Sequence, residues 1–137
     1  MTKIILGCMT LFLLTACEDK SIVNMYDKTI LQSKIECLKL TVVPKNELII
    51  QTMESLYTFD KHCPYALDIS YKNSIQCNST QNVQSKCING FPSSYLNMKL
   101  RKGLSVKYSY YIDLREDVAK VDLEEGFDRL KKDLMIK

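Results

Sequence analysis

The sequence is poor in the residues that build most catalytic motifs. Its 137 residues include one histidine, four glycines, three prolines and no tryptophan. No phosphate-cradling glycine loop, no Gly-x-Ser-x-Gly elbow and no His-Glu-x-x-His motif is present. The single histidine, His62, adjoins Cys63 at the end of an expected helix, and we interpret it as an exposed or capping side chain. We therefore expect no enzymatic activity and no cofactor.

An excess of charge of one sign is also missing. The formal net charge is +3, whereas nucleic-acid-binding proteins usually carry a concentrated basic stripe and a higher pI. A small basic cluster surrounds one expected turn and contains Lys99, Arg101, Lys102 and Lys107. It is interpreted either as a solvated hairpin tip or as a contact with anionic lipid headgroups. Nucleic acid is not an expected partner.

No hydrophobic run is long enough to span a bilayer, and the main run lies at the N-terminus. Residues 4–14 are apolar and follow a basic start, but a run of this length falls short of the ~20 residues that span a bilayer. It is typical of the h-region of a signal peptide. The following Leu14-Thr15-Ala16-Cys17 resembles the bacterial lipobox, in which small residues fit the signal peptidase and the cysteine thiol carries the lipid.

The lipobox resemblance implies how the chain is processed and where it is located. It implies a signal peptide of residues 1–16, acylation of Cys17 and a lipidated tether of residues 17–27. A competing lipobox at residues 5–8 is rejected because it leaves too short an h-region. Glu18 stands where an inner-membrane retention signal has aspartate, which favours the periplasmic side of the outer membrane over the inner membrane. The expected first partner is therefore the lipid bilayer.

Four cysteines remain after Cys8 and Cys17 are set aside. In an exported chain an even number of cysteines implies disulfides, and four cysteines allow three pairings. We predict Cys37–Cys63 and Cys77–Cys87, because the second disulfide closes a polar loop with little apolar content. The cysteines include no Cys-x-x-Cys pair, so we expect neither a metal site nor a thiol–disulfide oxidoreductase.

Hydrophobic periodicity predicts one α+β domain over residues 28–137. We expect a helix and then an extended piece over residues 28–43, a helix of about fifteen residues from Pro44, and a strand near residues 67–72. Residues 96–101 and 104–113 alternate around the turn at Lys102-Gly103 and predict an antiparallel hairpin. Residues 118–121 predict a short strand, and Asp122 opens a last helix. The apolar stripe of this helix is Leu123, Phe127, Leu130 and Leu134. The predicted fold is a small antiparallel sheet with helices packed on one face, stapled by disulfides.

Alternation along the second hairpin strand separates its tyrosines between two faces. Tyr108 and Tyr110 are expected in the core, and Lys107, Ser109 and Tyr111 on the exposed face. Tyrosine offers a large amphipathic contact area, so we predict partner binding there. Size, anchor and α+β pattern resemble small accessory lipoproteins of secretion, pilus or conjugation systems, including entry-exclusion proteins. The alternative is an immunity or inhibitor lipoprotein that neutralises a periplasmic toxin or hydrolase.

Overall fold

The part of the chain that the structure describes folds as a mixed five-stranded sheet with two α-helices. A computed structural model describes residues 21–75 and 92–137 of the chain. The sheet has the order β1-β5-β4-β3-β2, and every strand pair is antiparallel except the parallel pair β2 and β3. The strands are β1 Ile22–Met25, β2 Lys39–Val43, β3 Tyr65–Lys72, β4 Ser94–Lys102 and β5 Ser105–Leu114, and the helices are α1 Glu47–Leu56 and α2 Lys120–Leu134. The α+β class is confirmed, and the parallel pair arises because α1 crosses over between β2 and β3.

Helix α1 is shorter than the periodicity predicted. The side chain of Asn46 accepts hydrogen bonds from the backbone N–H groups of Leu48 at 2.9 Å and Ile49 at 3.3 Å. This N-cap starts the helix at Glu47 rather than directly after Pro44, and the helix ends at Leu56. The predicted extended piece before Pro44 is confirmed as β2.

Helix α2 begins before the predicted position. The backbone N–H of Ala119 donates to Oδ2 of Asp122 at 2.7 Å, which places Asp122 at the third helical position rather than at the start. The predicted strand at residues 118–121 is wrong because this contact draws Lys120 and Val121 into the helix. The predicted apolar stripe is buried and comprises Leu123, Phe127, Leu130 and Leu134.

The second half of the expected tether, residues 17–27, is part of the folded domain. Ile22–Met25 form the edge strand β1, which pairs with β5 in the register Ile22 with Tyr111. Asp27 then caps one turn of 3-10 helix, Lys28–Gln32, where a longer helix was expected. The turn buries Ile30 in the core. The strand was missed because its four residues do not alternate clearly between apolar and polar.

Both helices pack on one face of the sheet and share one hydrophobic core. The core includes Leu67, Met98 and Tyr108 from the strands and Met53 and Phe127 from the helices, all with no exposed surface. Within the described residues, neither helix is long and apolar enough to cross a membrane.

The disulfide between Cys37 and Cys63 is confirmed. It joins the segment before β2 to the segment before β3, with the two Cα atoms 5.8 Å apart. The bond therefore ties together the starts of the two parallel strands. The predicted signal peptide, the acylated Cys17 and the predicted Cys77–Cys87 bond all lie outside the described residues.

Candidate functional site

The face of the sheet opposite the helices, which we call the open face, carries mainly polar and aromatic side chains. Strand register arranges these side chains in rows across the five strands. One row contains Ile22, Tyr111, Asn97, Ser70 and Val43, and the next contains Asn24, Ser109, Lys99, Asp68 and Thr41. Because side chains alternate along strands, the neighbours of these residues supply the core.

Two tyrosines form a stacked pair on the open face. The rings of Tyr95 on β4 and Tyr111 on β5 lie 5.7 Å apart between centroids, with an angle of 25° between their planes. The hydroxyl of Tyr111 donates to Oδ1 of Asp113 at 2.7 Å. This hydrogen bond, together with burial, raises the pKa of Tyr111 to about 12. The pair is therefore an uncharged, oriented aromatic platform at neutral pH.

A third tyrosine extends the aromatic surface beyond β1. Tyr26 is 61% exposed and follows Asn24 in the alternation of β1. Its hydroxyl oxygen accepts a long hydrogen bond of 3.5 Å from the hydroxyl of Ser109. Sequence reasoning missed Tyr26 because the edge strand that places it was read as part of a tether.

Asn97 lies between β3 and β5 in the middle of the open face. Its register neighbours are Ser70 and Tyr111. The side-chain oxygen of Asn97 is buried and has no hydrogen-bond partner among the described residues. Buried polar atoms in native proteins usually have a partner, so this oxygen is an exception in the middle of the open face.

The open face carries an excess of positive charge. Arg101 forms an ion pair with Asp68, and its second guanidinium nitrogen donates to the same carboxylate at 3.3 Å. Lys72 and Lys99 are exposed and make no ion pair within the described residues. Lys39 lies on the same face at the β2 edge and is likewise exposed without an ion pair among these residues. In the part of the chain that the structure describes, the open face therefore presents three uncompensated ammonium groups, of which Lys72 and Lys99 lie beside the aromatic platform, against the carboxylate of Asp113.

The structure brings together two of the three predicted partner-binding residues. Ser109 and Tyr111 lie on the open face, although Ser109 is only 5% exposed. Lys107 is separated from them by a β-bulge, because Leu100 pairs with Tyr108 and the next residue of β4 pairs with Val106. The alternation of apolar and polar residues in the sequence could not reveal that the bulge adds one residue to β5.

Lys107 belongs instead to a cluster at the end of the sheet. Its ammonium group lies 2.7 Å from Oδ2 of Asp27, and the two side chains are 21% and 29% exposed. The hydrogen bond from Lys107, followed by those from Thr29, lowers the pKa of Asp27 to about 2. Lys107 lines a small cavity of about 100 Å³ with Tyr65 and Lys102. The ion pair fastens the segment after β1 to the hairpin.

The single histidine and the carboxylate of Asp117 have structural contacts. The backbone N–H of His62 donates to Asp60 at 2.8 Å, and the side chain is exposed. Asp117 accepts hydrogen bonds from the hydroxyls of Ser74 at 3.1 Å and Ser94 at 3.4 Å. Among the described residues, no group of three or more histidine, cysteine and carboxylate side chains is placed to hold a metal ion.

Comparison with protein-family models, with curated proteins and with solved structures finds no match for this chain. The class that the fold and the open face define is a small disulfide-bonded α+β domain, in which residues 21–75 and 92–137 leave one sheet face uncovered. Its function is inferred from that face and from the N-terminal motif.

Proposed function

We propose that the chain is a bacterial lipoprotein, acylated at Cys17 on the periplasmic side of the outer membrane, that binds a protein partner through its open face. The observation that carries this proposal is the stacked pair of Tyr95 and Tyr111 beside the uncompensated Lys72 and Lys99. Tyrosine is enriched in the energetic centres of interfaces, and unpaired lysines attract acidic groups. The partner surface is therefore acidic, with apolar groups that cover the two rings.

The expected anchor lies near one end of this face. Ile22 follows Cys17 by five residues, so the acylated residue lies within roughly 17 Å of Ile22 even when the chain is extended. Ile22 pairs with Tyr111, whereas Leu104 in the hairpin turn lies seven residues from Tyr111 along the strand, about 23 Å. The tyrosine platform thus lies at the end of the open face that is closer to the bilayer. A partner bound there is held beside the membrane.

This arrangement suits an accessory factor of a secretion, pilus or conjugation system, including entry exclusion, whose partner is itself at the envelope. If the protein is instead an immunity or inhibitor lipoprotein, it binds a different partner through the same face. A captured component of a transport apparatus supports the first hypothesis, and a captured toxin or hydrolase supports the second.

The test compares charge-reversal variants of the membrane-bound protein. Lys72→Glu and Lys99→Glu together should lower partner recovery from solubilised membranes by about tenfold. Lys132→Glu is the control, because Lys132 is exposed on helix α2, on the other side of the sheet. Equal recovery with all variants contradicts use of the open face. Turnover of a cell-wall or lipid substrate without any protein partner contradicts the binding function itself.

The anchor is tested separately. Cys17→Ser should move the chain from the membrane fraction to the soluble fraction, with the partner-binding face unchanged. Membrane association equal to that of the unaltered chain contradicts the acylation of Cys17.

A further inference from the structure

A groove lies at the opposite edge of the sheet from β1, between β2 and helix α1. Within the described residues, β2 pairs with β3 on one side and with no strand on the other. The groove has a volume of about 170 Å³. Its lining residues are Lys39, Leu40, Val42, Ile50, Glu54, Phe59 and Lys61.

The floor of the groove is apolar and well supported. Leu40, Val42, Ile50 and Phe59 are all half-buried. Phe59 packs against Tyr57 at 5.1 Å and against Phe127 at 6.3 Å between ring centroids. The floor is therefore continuous with the aromatic part of the core, and it is the kind of surface that accommodates an aliphatic side chain.

The backbone beside the groove is that of an edge strand. An edge strand presents unpaired N–H and C=O groups that can bind an added strand. β2 spans five residues, about 17 Å, which is the length of an ordinary strand pairing. Pro44 ends the available edge, because proline has no N–H to donate. At the other end the backbone N–H of Asp60 donates to the carbonyl of Leu38 at 2.8 Å, which holds the segment containing Phe59 in place.

Charge selects the occupant of the groove. Lys39 and Lys61 are exposed and make no ion pair within the described residues, and Glu54 is the single acidic residue in the lining. Lys39 lies on the opposite side of β2 from Leu40 and Val42 because strand side chains alternate. An added strand with apolar residues on one side and acidic residues on the other matches this arrangement on both sides.

We propose that β2 and α1 form a second binding site, which takes an extended peptide segment of a partner protein by β-strand addition. Alternate apolar side chains of the peptide occupy the groove, and its acidic side chains lie beside Lys39 and Lys61. Main-chain hydrogen bonds supply affinity in this mode, and the groove supplies selectivity. The groove lies on the helix side of the sheet, apart from the tyrosine platform, and only Lys39 of the site lies on the open face. The site does not depend on the lipid anchor.

The test uses a fluorescein-labelled octapeptide of alternating aspartate and valine, with a lysine–valine octapeptide as its matched control. The lipidated full chain in detergent micelles should bind the acidic peptide at least about tenfold more tightly than the basic one. Binding should shift the backbone amide NMR signals of Lys39–Val43. Lys61→Glu should weaken binding by about tenfold, and Ile50→Lys should abolish it by filling the groove.

Control variants separate this site from the proposed function. Lys72→Glu, on the open face, should leave peptide affinity unchanged. Because the side chain of Lys61 is exposed, Lys61→Glu keeps the test valid if Ile50→Lys unfolds the chain. Absence of peptide binding at millimolar concentration overturns the proposal. It is also overturned if the peptide shifts the amide signals of Tyr95, Lys99 and Tyr111 instead, or if β2 pairs with a second copy of the chain that the peptide does not displace.

Discussion

Tyr95 and Tyr111 stack diagonally across β4 and β5, with ring centroids 5.7 Å apart, at the end of the sheet where β1 begins. Asp113 is the register partner of Tyr95 and also accepts the hydroxyl hydrogen bond of Tyr111. The Asp113 carboxylate therefore fixes the orientation of the Tyr111 ring, and Asp113 itself lies directly across the strands from Tyr95. This arrangement gives the open face a fixed shape before any partner arrives.

The first prediction concerns the alkaline titration of Tyr111. Its pKa is raised to about 12, chiefly by the hydrogen bond to Asp113. The protonated phenol is favoured in the folded state, so its contribution to stability is complete below pH 10 and is lost as the pH rises through 12. NMR of ring-labelled tyrosine should show Tyr111 titrating near pH 12.

Asp113→Asn is the variant that tests the cause. Removal of the carboxylate should lower the pKa of Tyr111 towards the ordinary tyrosine value, while the core side chain Tyr108, which bonds to Asp133 instead, should keep its titration. An unchanged Tyr111 titration in this variant would show that Asp113 does not orient the platform.

The second prediction concerns acid stability. The pKa of Asp27 is about 2, lowered first by the hydrogen bond from Lys107. A depressed carboxyl pKa stabilises the fold above the unfolded value of about 3.8 and loses this effect as the pH falls through 2. Asp27→Asn should therefore flatten the dependence of the urea midpoint on pH between 4 and 2. Glu116→Gln, an exposed control, should keep the slope of the unaltered chain; equal slopes in all three proteins would contradict the role of the ion pair.

The sequence predicted the elements with long, regular patterns and missed those set by few residues. The hairpin of β4 and β5 has nine and ten residues, and its alternation identified both strands. The stripe of α2 was equally clear. Strand β1 has four residues and the bulge near Leu100 involves one extra residue, so neither leaves a periodic signal. The parallel pairing of β2 and β3 depends on α1 crossing the sheet, which no local pattern encodes.

The candidate site was predicted in part for the same reason. Ser109 and Tyr111 follow from alternation along β5. The stacking of Tyr95 on Tyr111 and the pairing of Arg101 with Asp68 depend on the register between strands, which alternation leaves undetermined. Lys107 was grouped with Ser109 because a bulge cannot be read from side-chain alternation.

The third prediction concerns the disulfide of Cys37 and Cys63. The two residues are 26 positions apart, and closing a loop of this size stabilises a fold by about 3 kcal/mol in the chain-entropy model. The Cys37→Ser/Cys63→Ser double variant should lose about this much free energy of unfolding in urea. A loss close to zero would show that the bond adds little to the β2–β3 pairing.

Peptide mapping without reduction provides the chemical control. It should recover Cys37 linked to Cys63, and it tests the Cys77–Cys87 prediction in the same experiment. Four free thiols in the exported protein would contradict the disulfide framework.

The fourth prediction concerns Gly126 in helix α2. A Cβ atom at this position would lie 2.9 Å from Cε1 of Tyr110 and 3.3 Å from the side chain of Met98. Gly126→Ala should gain about 1 kcal/mol in helix propensity but lose about 1–3 kcal/mol through overpacking, with a net destabilisation in urea unfolding. Met98→Ala opens space beside position 126. If Met98 is the limiting contact, the double variant Gly126→Ala/Met98→Ala should lose less stability than the sum of the two single losses. If Tyr110 is the limiting contact, the two losses should add. A stabilised Gly126→Ala single variant would contradict the close packing of α2 on the sheet.

The most direct test of the account is site-specific photo-crosslinking of the acylated chain in living cells. A photoreactive residue replaces Lys99 on the open face, and in a matched chain it replaces Lys132 on α2. We predict that the Lys99 position yields an adduct with one envelope protein, that the Lys132 position does not, and that Tyr95→Ala with Tyr111→Ala removes the adduct. Adducts of the same pattern from both positions, or none from Lys99 in a correctly folded and membrane-bound chain, would contradict the claim that the open face binds a protein partner.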